Sequence, residues 1–216
     1  MQYGTKDWIE RLCDRYDAFV FDVDGTLYRQ TPVRIGMARQ MMRDGILRPS
    51  HMKHLLALLS FRKRREKDRA FQNRSLEEQV GIVAEEKKIQ KEAFGMYIRK
   101  WMFERPLELI KTNRRKVVCD LLHNCRRMKK TVVIYSDYPA EDKLHTLDIH
   151  YDKLFYPGNG IPDELKPSRA VMDVIISEIK TEKNRIIFVG DRDEKDGKSA
   201  ALAGIDYLNV RQLKMD

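Results

Sequence analysis

The sequence predicts an α/β protein whose core is a doubly wound parallel sheet interrupted by a long helical insertion. Three short apolar runs, at 18–20, 131–135 and 185–189, are rich in strand-forming residues and end in polar residues. Helical patterns separate these runs, and this alternation is typical of a parallel sheet with crossover helices. A chain of 216 residues is long enough for one substantial core and a modest second module.

The first predicted element is a helix whose apolar positions, among them Trp8 and Leu12, we expect to pack beside the sheet. The strand that follows leads directly into two carboxylates, Asp22 and Asp24. Side chains two residues apart in an extended chain point the same way, so the pair offers one acid for attack and one for proton transfer. The string also resembles an acidic loop that caps a helix, and this second interpretation stays open here.

Helical patterns fill residues 31–130. A capping box is predicted at Ser75 and Glu78, and apolar stripes at helical spacing follow it. This segment holds 26 Lys and Arg against 11 Asp and Glu, an excess of +15, whereas the rest of the chain holds 16 against 22, a balance of −6. The insertion is therefore basic and the predicted core acidic.

The densest charge lies in residues 62–69, which we call the basic cluster. Four interpretations stay open: a solvated helix face, a site that recruits an anionic substrate or subunit, a nucleic-acid contact, or an anionic membrane surface. No nucleic-acid-binding motif accompanies the cluster.

The chain has no stretch of about 20 apolar residues that could span a bilayer, and its first ten residues lack the apolar core of a secretory signal. We therefore expect a soluble, cytoplasmic protein. Its three cysteines form no CxxC pair, which is typical of reduced structural thiols.

The other two strand ends also carry polar groups. Ser136 and Asp137 follow the second run, and Gly190 and Asp191 follow the third. A lysine, Lys166, lies just before a helix start that Pro167 and Ser168 signal, and Asp196 comes five residues after Asp191. Because the carboxyl ends of parallel strands meet at one edge of the sheet, we expect these groups to converge.

These motifs, in this order, resemble the haloacid dehalogenase (HAD) superfamily, and in particular its magnesium-dependent phosphatases. The likeness covers residues 18–27 and 131–210. It implies a Rossmann-like catalytic core of residues 1–30 and 131–216, with residues 31–130 as a helical cap domain between the first two motifs. Such a cap would act as a lid, hinged near 27–35 and 111–130, that selects the substrate and excludes water.

The resemblance also implies the reaction. Asp22 attacks phosphorus and becomes an aspartyl phosphate, while Asp24 protonates the leaving alcohol and then activates water. The cofactor is Mg²⁺, bound by Asp22, Asp191 and the backbone carbonyl of Asp24. Asp196 supports the site from outside the ligand set, with Asp193 as a rival for that role.

The remaining implied roles concern the phosphate. Ser136, the amide of Asp137 and Lys166 would bind phosphoryl oxygens, and Thr26 would stabilise the first loop. The substrate would be a small phosphorylated metabolite. Three alternatives are a phosphotransferase, a phosphomutase, and a binding module whose basic cap docks an acidic partner. Asp24 argues against a 2-haloacid dehalogenase, because those relatives lack this acid.

Overall fold

The computed structural model describes residues 5–213, which form one five-stranded parallel sheet in the order β3-β2-β1-β4-β5. Its strands are β1 (Ala18–Phe21), β2 (Thr131–Tyr135), β3 (Lys153–Phe155), β4 (Ile186–Gly190) and β5 (Asp206–Asn209). The chain begins in the middle of the sheet, builds outward to β3, and then crosses to β4 and β5. This topology confirms the doubly wound parallel sheet, and the reversal leaves a crevice beyond the carboxyl end of β1.

The central strands are buried on both faces. Phe19 and Phe21 of β1 point into one apolar cluster, whereas Ala18 and Val20 point into another. Helices that flank the sheet are α1 (Thr5–Arg15), α8 (Lys116–Arg127), α9 (Glu141–Thr146), α10 (Arg169–Ile179) and α11 (Lys198–Ala203). Complete burial explains why the strand sequences read as continuous apolar runs.

Helices make up the insertion, as predicted. They are α2 (Gln30–Leu47), α3 (Met52–Lys67), α4 (Arg69–Gln72), α5 (Leu76–Glu86), α6 (Lys91–Ile98) and α7 (Leu107–Thr112), with a π-helical turn at Arg99–Glu104. The predicted capping box is present, since Ser75 Oγ accepts from the Glu78 N–H at 3.2 Å and Glu78 Oε2 from the Ser75 N–H at 2.9 Å. None of the helices within residues 5–213 is long and apolar enough to span a bilayer.

The chain enters and leaves the insertion along two adjacent segments. Tyr28 forms an antiparallel bridge with Arg114, and the Arg115 N–H donates to the Leu27 carbonyl at 2.8 Å. Helix α8 then packs against α1, where Cys13 Sγ lies 3.9 Å from Cys125 Sγ. The boundary of the cap at residue 130 stays a prediction, and α8 contacts the sheet side of the molecule.

Candidate active site

The polar groups singled out in the sequence converge where β1, β2 and β4 end. Asp22, Asp191 and Asp196 are buried, and carboxylate oxygens from the three lie within 4.8 Å of one another. Asp22 follows β1 directly, and Asp191 follows β4. The parallel register brings them together because Phe21 pairs with Val189. The carboxyl ends of the central strands therefore concentrate negative charge in a small volume.

These residues fit a divalent cation. Asp191 Oδ1 is buried and has no hydrogen-bond partner, while Oδ2 accepts from Arg211 Nε at 3.1 Å. Burial raises the pKa of Asp191, and Arg211 opposes that shift. Gly25, at φ 107°, provides the required close approach, since a Cβ there would collide with the Asp191 carboxylate. Clustered carboxylate oxygens with an unpartnered lone pair are the ligands that Mg²⁺ prefers.

Lys166 neutralises part of this charge. Its Nζ contacts Asp22 Oδ1 and lies 2.8 Å from Asp196 Oδ1. Burial lowers the pKa of Lys166, but the Asp196 and Asp22 carboxylates outweigh it and hold the pKa well above its usual value. Burial raises the pKa of Asp22, and the Lys166 ammonium opposes that shift by favouring the carboxylate. Thr26 Oγ1 donates to Asp22 Oδ2 at 2.8 Å and so orients this carboxylate.

The acidic loop after β4 distinguishes Asp196 from its rival. Asp196 Oδ2 accepts the backbone N–H groups of Asp191 and Arg192, each at 3.1 Å. Asp193 is exposed and instead accepts from Asn209 Nδ2 at 2.6 Å. The structure thus brings Asp196 into the acidic cluster and leaves Asp193 outside it.

Asp24, two residues after Asp22, is partly buried. Its Oδ1 accepts from Lys143 Nζ at 2.5 Å and from the Tyr28 hydroxyl. Burial raises the pKa of Asp24, but the Lys143 ammonium and the Tyr28 hydrogen bond outweigh it and lower the pKa below its ordinary value. These contacts favour the carboxylate, which is the form that accepts a proton.

Ser136 and Asp137 occupy the loop after β2. Ser136 is buried, and its Oγ accepts from the Tyr138 N–H at 3.1 Å. The Asp137 carboxylate accepts from the Lys166 N–H at 2.9 Å and from Lys195 Nζ at 2.7 Å. The Asp137 side chain therefore links the loops that hold Lys166 and Lys195. The group of Asp137 that is suited to bind an anion is its backbone N–H.

Two further cations complete the surroundings: Arg65, which belongs to the basic cluster predicted from the sequence, and Lys143, which the sequence did not single out. Arg65 of α3 is only 4% exposed; its Nη2 donates to the Asp137 carbonyl at 2.9 Å, and its guanidinium lies 4.3 Å from the Tyr138 ring centroid. Arg65 comes four residues after Phe61, so the two lie on the same face of the helix. This spacing could have predicted that Arg65 is buried, but the charged residues around it obscured the pattern. Lys143 had no such signal, because it sits in an ordinary charged stretch of α9.

Core and insertion together enclose a cleft of about 130 Å³, smaller than the roughly 300–1,000 Å³ typical of sites for drug-sized ligands. The acids and Lys166 line its floor. The insertion contributes basic and aromatic side chains: Arg34, Arg62, Arg65, Trp101 and Phe103. A small anionic molecule would therefore meet cations from both parts.

The fold is similar to that of several solved structures. YfnB from Bacillus subtilis, described as a HAD-hydrolase and bound to magnesium, is 14% identical, with a TM-score of 0.62 over 94% of this chain and 92% of that one. A 2-haloacid dehalogenase from Pseudomonas syringae is 17% identical, with a TM-score of 0.60 over 92% and 88%. A HAD phosphatase from Thermococcus onnurineus is 16% identical, with a TM-score of 0.59 over 92% and 87%. At this identity the likeness concerns the fold alone.

Sequence comparison identifies the family. No curated protein matches the chain significantly. The sequence model of the haloacid dehalogenase-like hydrolases, however, matches residues 16–204, which include every site residue predicted from the sequence. The chain therefore belongs to the haloacid dehalogenase-like hydrolases.

Proposed function

We propose that the protein is a magnesium-dependent phosphomonoester hydrolase that acts through an aspartyl phosphate on Asp22. One observation carries this proposal: Asp22 contacts a buried lysine, Lys166, and belongs to a carboxylate cluster in which Asp191 Oδ1 lacks a hydrogen-bond partner. A phosphoryl group beside Asp22 would meet a nucleophile and the cations that offset its charge. Family membership and the magnesium-bound relative support the same proposal.

In the first step, an Asp22 oxygen forms a bond to phosphorus, and the bond between phosphorus and the leaving alkoxide breaks. Asp24 gives its proton to that alkoxide. A phosphate dianion that enters beside Asp24 competes for the Lys143 ammonium and raises the pKa of Asp24, which favours the protonated acid. In the second step, Asp24 takes a proton from water as the water oxygen attacks phosphorus, and Asp22 leaves as a carboxylate.

The charge of the transferring group must be balanced throughout. Asp22, Asp191 and the backbone carbonyl of Asp24 would hold Mg²⁺, which offsets the charge of the phosphoryl oxygens when bound. Lys166 keeps its proton because two carboxylates face it, so it supplies a fixed cation. The Ser136 hydroxyl and the Asp137 N–H would donate to the remaining oxygens.

The insertion would act as a lid. Its two connecting segments lie side by side at the Tyr28–Arg114 bridge, which is the arrangement expected of a hinge. Arg65 extends from α3 to the loop after β2, so the closed state has a specific contact between insertion and core. A closed lid keeps water from the aspartyl phosphate until the alcohol has left.

The test is hydrolysis of p-nitrophenyl phosphate with Mg²⁺, with EDTA, and with Mg²⁺ restored. We expect activity only with Mg²⁺. The Asp22→Asn enzyme should lose at least about 10³-fold in kcat, because an amide is a poor nucleophile. Asp193→Asn is the matched control, since Asp193 is outside the cluster and should retain activity.

The outcomes separate the functions. Release of inorganic phosphate without acceptor dependence supports a hydrolase, whereas transfer to an added alcohol or sugar identifies a transferase or mutase. Turnover that survives both EDTA and Asp22→Asn would overturn the proposal.

A further inference from the structure

The outward side of the α2–α3 hairpin carries most of the exposed large apolar side chains in the described part of the chain. Seven of the nine such residues lie there. We call them the outer patch: Ile35, Met42, Ile46, Leu47, Met52, Leu56 and Leu59, which are 44–78% exposed. Scattered exposed apolar residues need no explanation, but a concentration on one hairpin marks an interaction surface.

Both helices are apolar on two opposite faces. On α2, Ile35, Met42 and Ile46 recur at intervals of seven and four, which places them on one face. The buried residues of α2, among them Met37 and Met41, lie on the opposite face. A helix at a protein surface ordinarily has one apolar face against the core and one polar face toward water.

The pattern repeats on α3. Met52, Leu56 and Leu59 recur at intervals of four and three on its exposed side, while Leu58 and Phe61 are buried. The apolar content of each helix therefore exceeds what packing against the protein requires.

The two apolar stripes are adjacent. Met52 Cε approaches the backbone of α2 so closely that a Cβ at Gly45 would lie 3.3 Å from it. Gly45 is next to Ile46 in α2, and Met52 begins the stripe of α3. This contact brings the start of the α3 stripe beside the last turn of α2, which carries Ile46 and Leu47, so the two stripes meet at the turn of the hairpin.

This surface is strongly basic as well as apolar. Residues 30–67 hold ten Lys and Arg against two Asp and Glu, and seven of the ten remain when Arg34, Arg62 and Arg65, which line the cleft, are set aside. One of the two acids, Asp44, is already engaged, with its Oδ2 2.7 Å from His51 Nδ1. Arg39 and Arg43 are exposed beside the α2 stripe, and Lys63 continues the α3 stripe. A partner must therefore accept apolar side chains and supply negative charge at the same surface.

Three kinds of partner can be compared by this requirement. A second copy joined by a two-fold axis would bring identical basic surfaces together, which is electrostatically unfavourable. Nucleic acid would satisfy the arginines but leave isoleucine, leucine and methionine without an apolar environment. An anionic bilayer supplies both, because apolar side chains enter the acyl boundary while arginine and lysine extend to the lipid phosphates.

We propose that the α2–α3 hairpin is a membrane-docking surface that binds the interface of an anionic bilayer. Its side chains project outward from two helix faces, as in helices that lie in the plane of a membrane interface. The proposal does not rest on the phosphatase function. It would nevertheless place the lid against lipid, since α3 also carries Arg62 and Arg65, which line the cleft.

Co-sedimentation of the full chain with vesicles tests this. We expect binding to vesicles of phosphatidylcholine with 30–40% phosphatidylglycerol, roughly the range in which basic helices respond to anionic lipid, and little binding to phosphatidylcholine alone. Ile46→Ser with Leu56→Ser should weaken binding about tenfold, because two apolar side chains leave the bilayer. Met96→Ser is the matched control, since Met96 is 67% exposed but outside the patch.

Salt and charge provide a second measurement. Arg39→Ser with Arg43→Ser should weaken binding to anionic vesicles, and about 0.5 M salt should weaken the parent in the same way. Circular dichroism should be unchanged in every variant, because all the substituted residues are exposed.

Three results would overturn the proposal. The first is a parent chain that does not bind anionic vesicles, and the second is a patch variant that binds them as well as Met96→Ser does. Light scattering could instead show a parent dimer that the patch variant converts to monomer, which would assign the surface to a second copy.

Discussion

The sheet end and the α2–α3 hairpin use charge in opposite ways. At the sheet end, buried Lys166 contacts the carboxylates of both Asp22 and Asp196, so each charge has a specific neighbour. On the hairpin, most charges face solvent beside exposed apolar side chains. At the sheet end, the ends of the strands determine where the buried charges lie. On the hairpin, a run of basic residues does not reveal which of them is buried.

Asp24→Asn tests the sheet end most strongly. Removal of the acid should lower kcat for an alkyl phosphate by about 10²-fold or more, because a poor leaving group needs the proton. For p-nitrophenyl phosphate the loss should be much smaller, since nitrophenolate leaves without protonation. Steady-state kinetics on both substrates measure the ratio. Equal losses on the two substrates would remove Asp24 from the acid role.

Substitutions at Arg65 and Arg64 test the α2–α3 hairpin, because these two adjacent residues of the basic cluster have different environments. Arg65 is buried and donates to Gln79 Oε1 at 2.5 Å and to the Asp137 carbonyl. Arg65→Ala should therefore lower the free energy of unfolding by about 2–3 kcal/mol, because buried acceptors lose their donor. Urea unfolding measures this change.

Arg64→Ala is the matched comparison. Arg64 is partly exposed and pairs with Glu86 at 2.6 Å, and such pairs contribute about 0–1 kcal/mol. Arg64→Ala should therefore lower the free energy of unfolding less than Arg65→Ala does, although it is Arg64 that has the ion pair. Equal losses of stability would mean that the contact of Arg65 with the core is weak.

The sequence predicted the centre of the fold better than its edges. Strands β1, β2 and β4 were recognisable because burial on both faces makes them continuously apolar. Strands β3 and β5 were not predicted: Lys153 begins a three-residue strand and Asp206 begins an exposed edge, so neither has an apolar run. Edge strands have fewer neighbours, and their sequences are correspondingly less constrained.

The residues of the candidate site also differ in whether the sequence could predict them. Acids directly after strands, such as Asp22 and Asp191, were predictable because the strand end fixes their location. Lys143 was not, since its contact with Asp24 depends on how α9 packs against the first loop. Tertiary contacts between distant helices have no local sequence signal.

Asp191 and Asp193 give a comparison within the acidic loop. Asp191→Ala should weaken Mg²⁺ binding by more than about tenfold, because it removes a carboxylate from the cluster. Asp193→Ala should change the affinity little, since Asp193 pairs with Asn209 outside the cluster. Calorimetric titration of both variants decides between them. A larger loss in Asp193→Ala would show that the roles of the two acids are reversed.

The smallest expected effect concerns substrate attraction by the exposed part of the basic cluster. Arg64 and Arg65 are engaged in the protein, so they are unsuitable for a test of steering. Lys63 is exposed and follows Arg62, which lines the cleft. Lys63→Glu should lower kcat/KM for an anionic substrate about threefold at low salt and leave kcat unchanged, because steering acts on the encounter.

Lys53 supplies the control, because it is exposed on the same helix about 15 Å further along the axis. At physiological ionic strength the Debye length is about 8 Å, so reversal of Lys53 should have less effect than reversal of Lys63. The measurement is kcat/KM of the parent and both variants over increasing salt, with detergent-free buffer and no lipid. Steering requires the three curves to converge at high salt, since screening removes the difference that the charges make. Parallel curves would instead assign the Lys63 effect to local structure, and identical curves would show that the exposed charge of α3 has no part in substrate encounter.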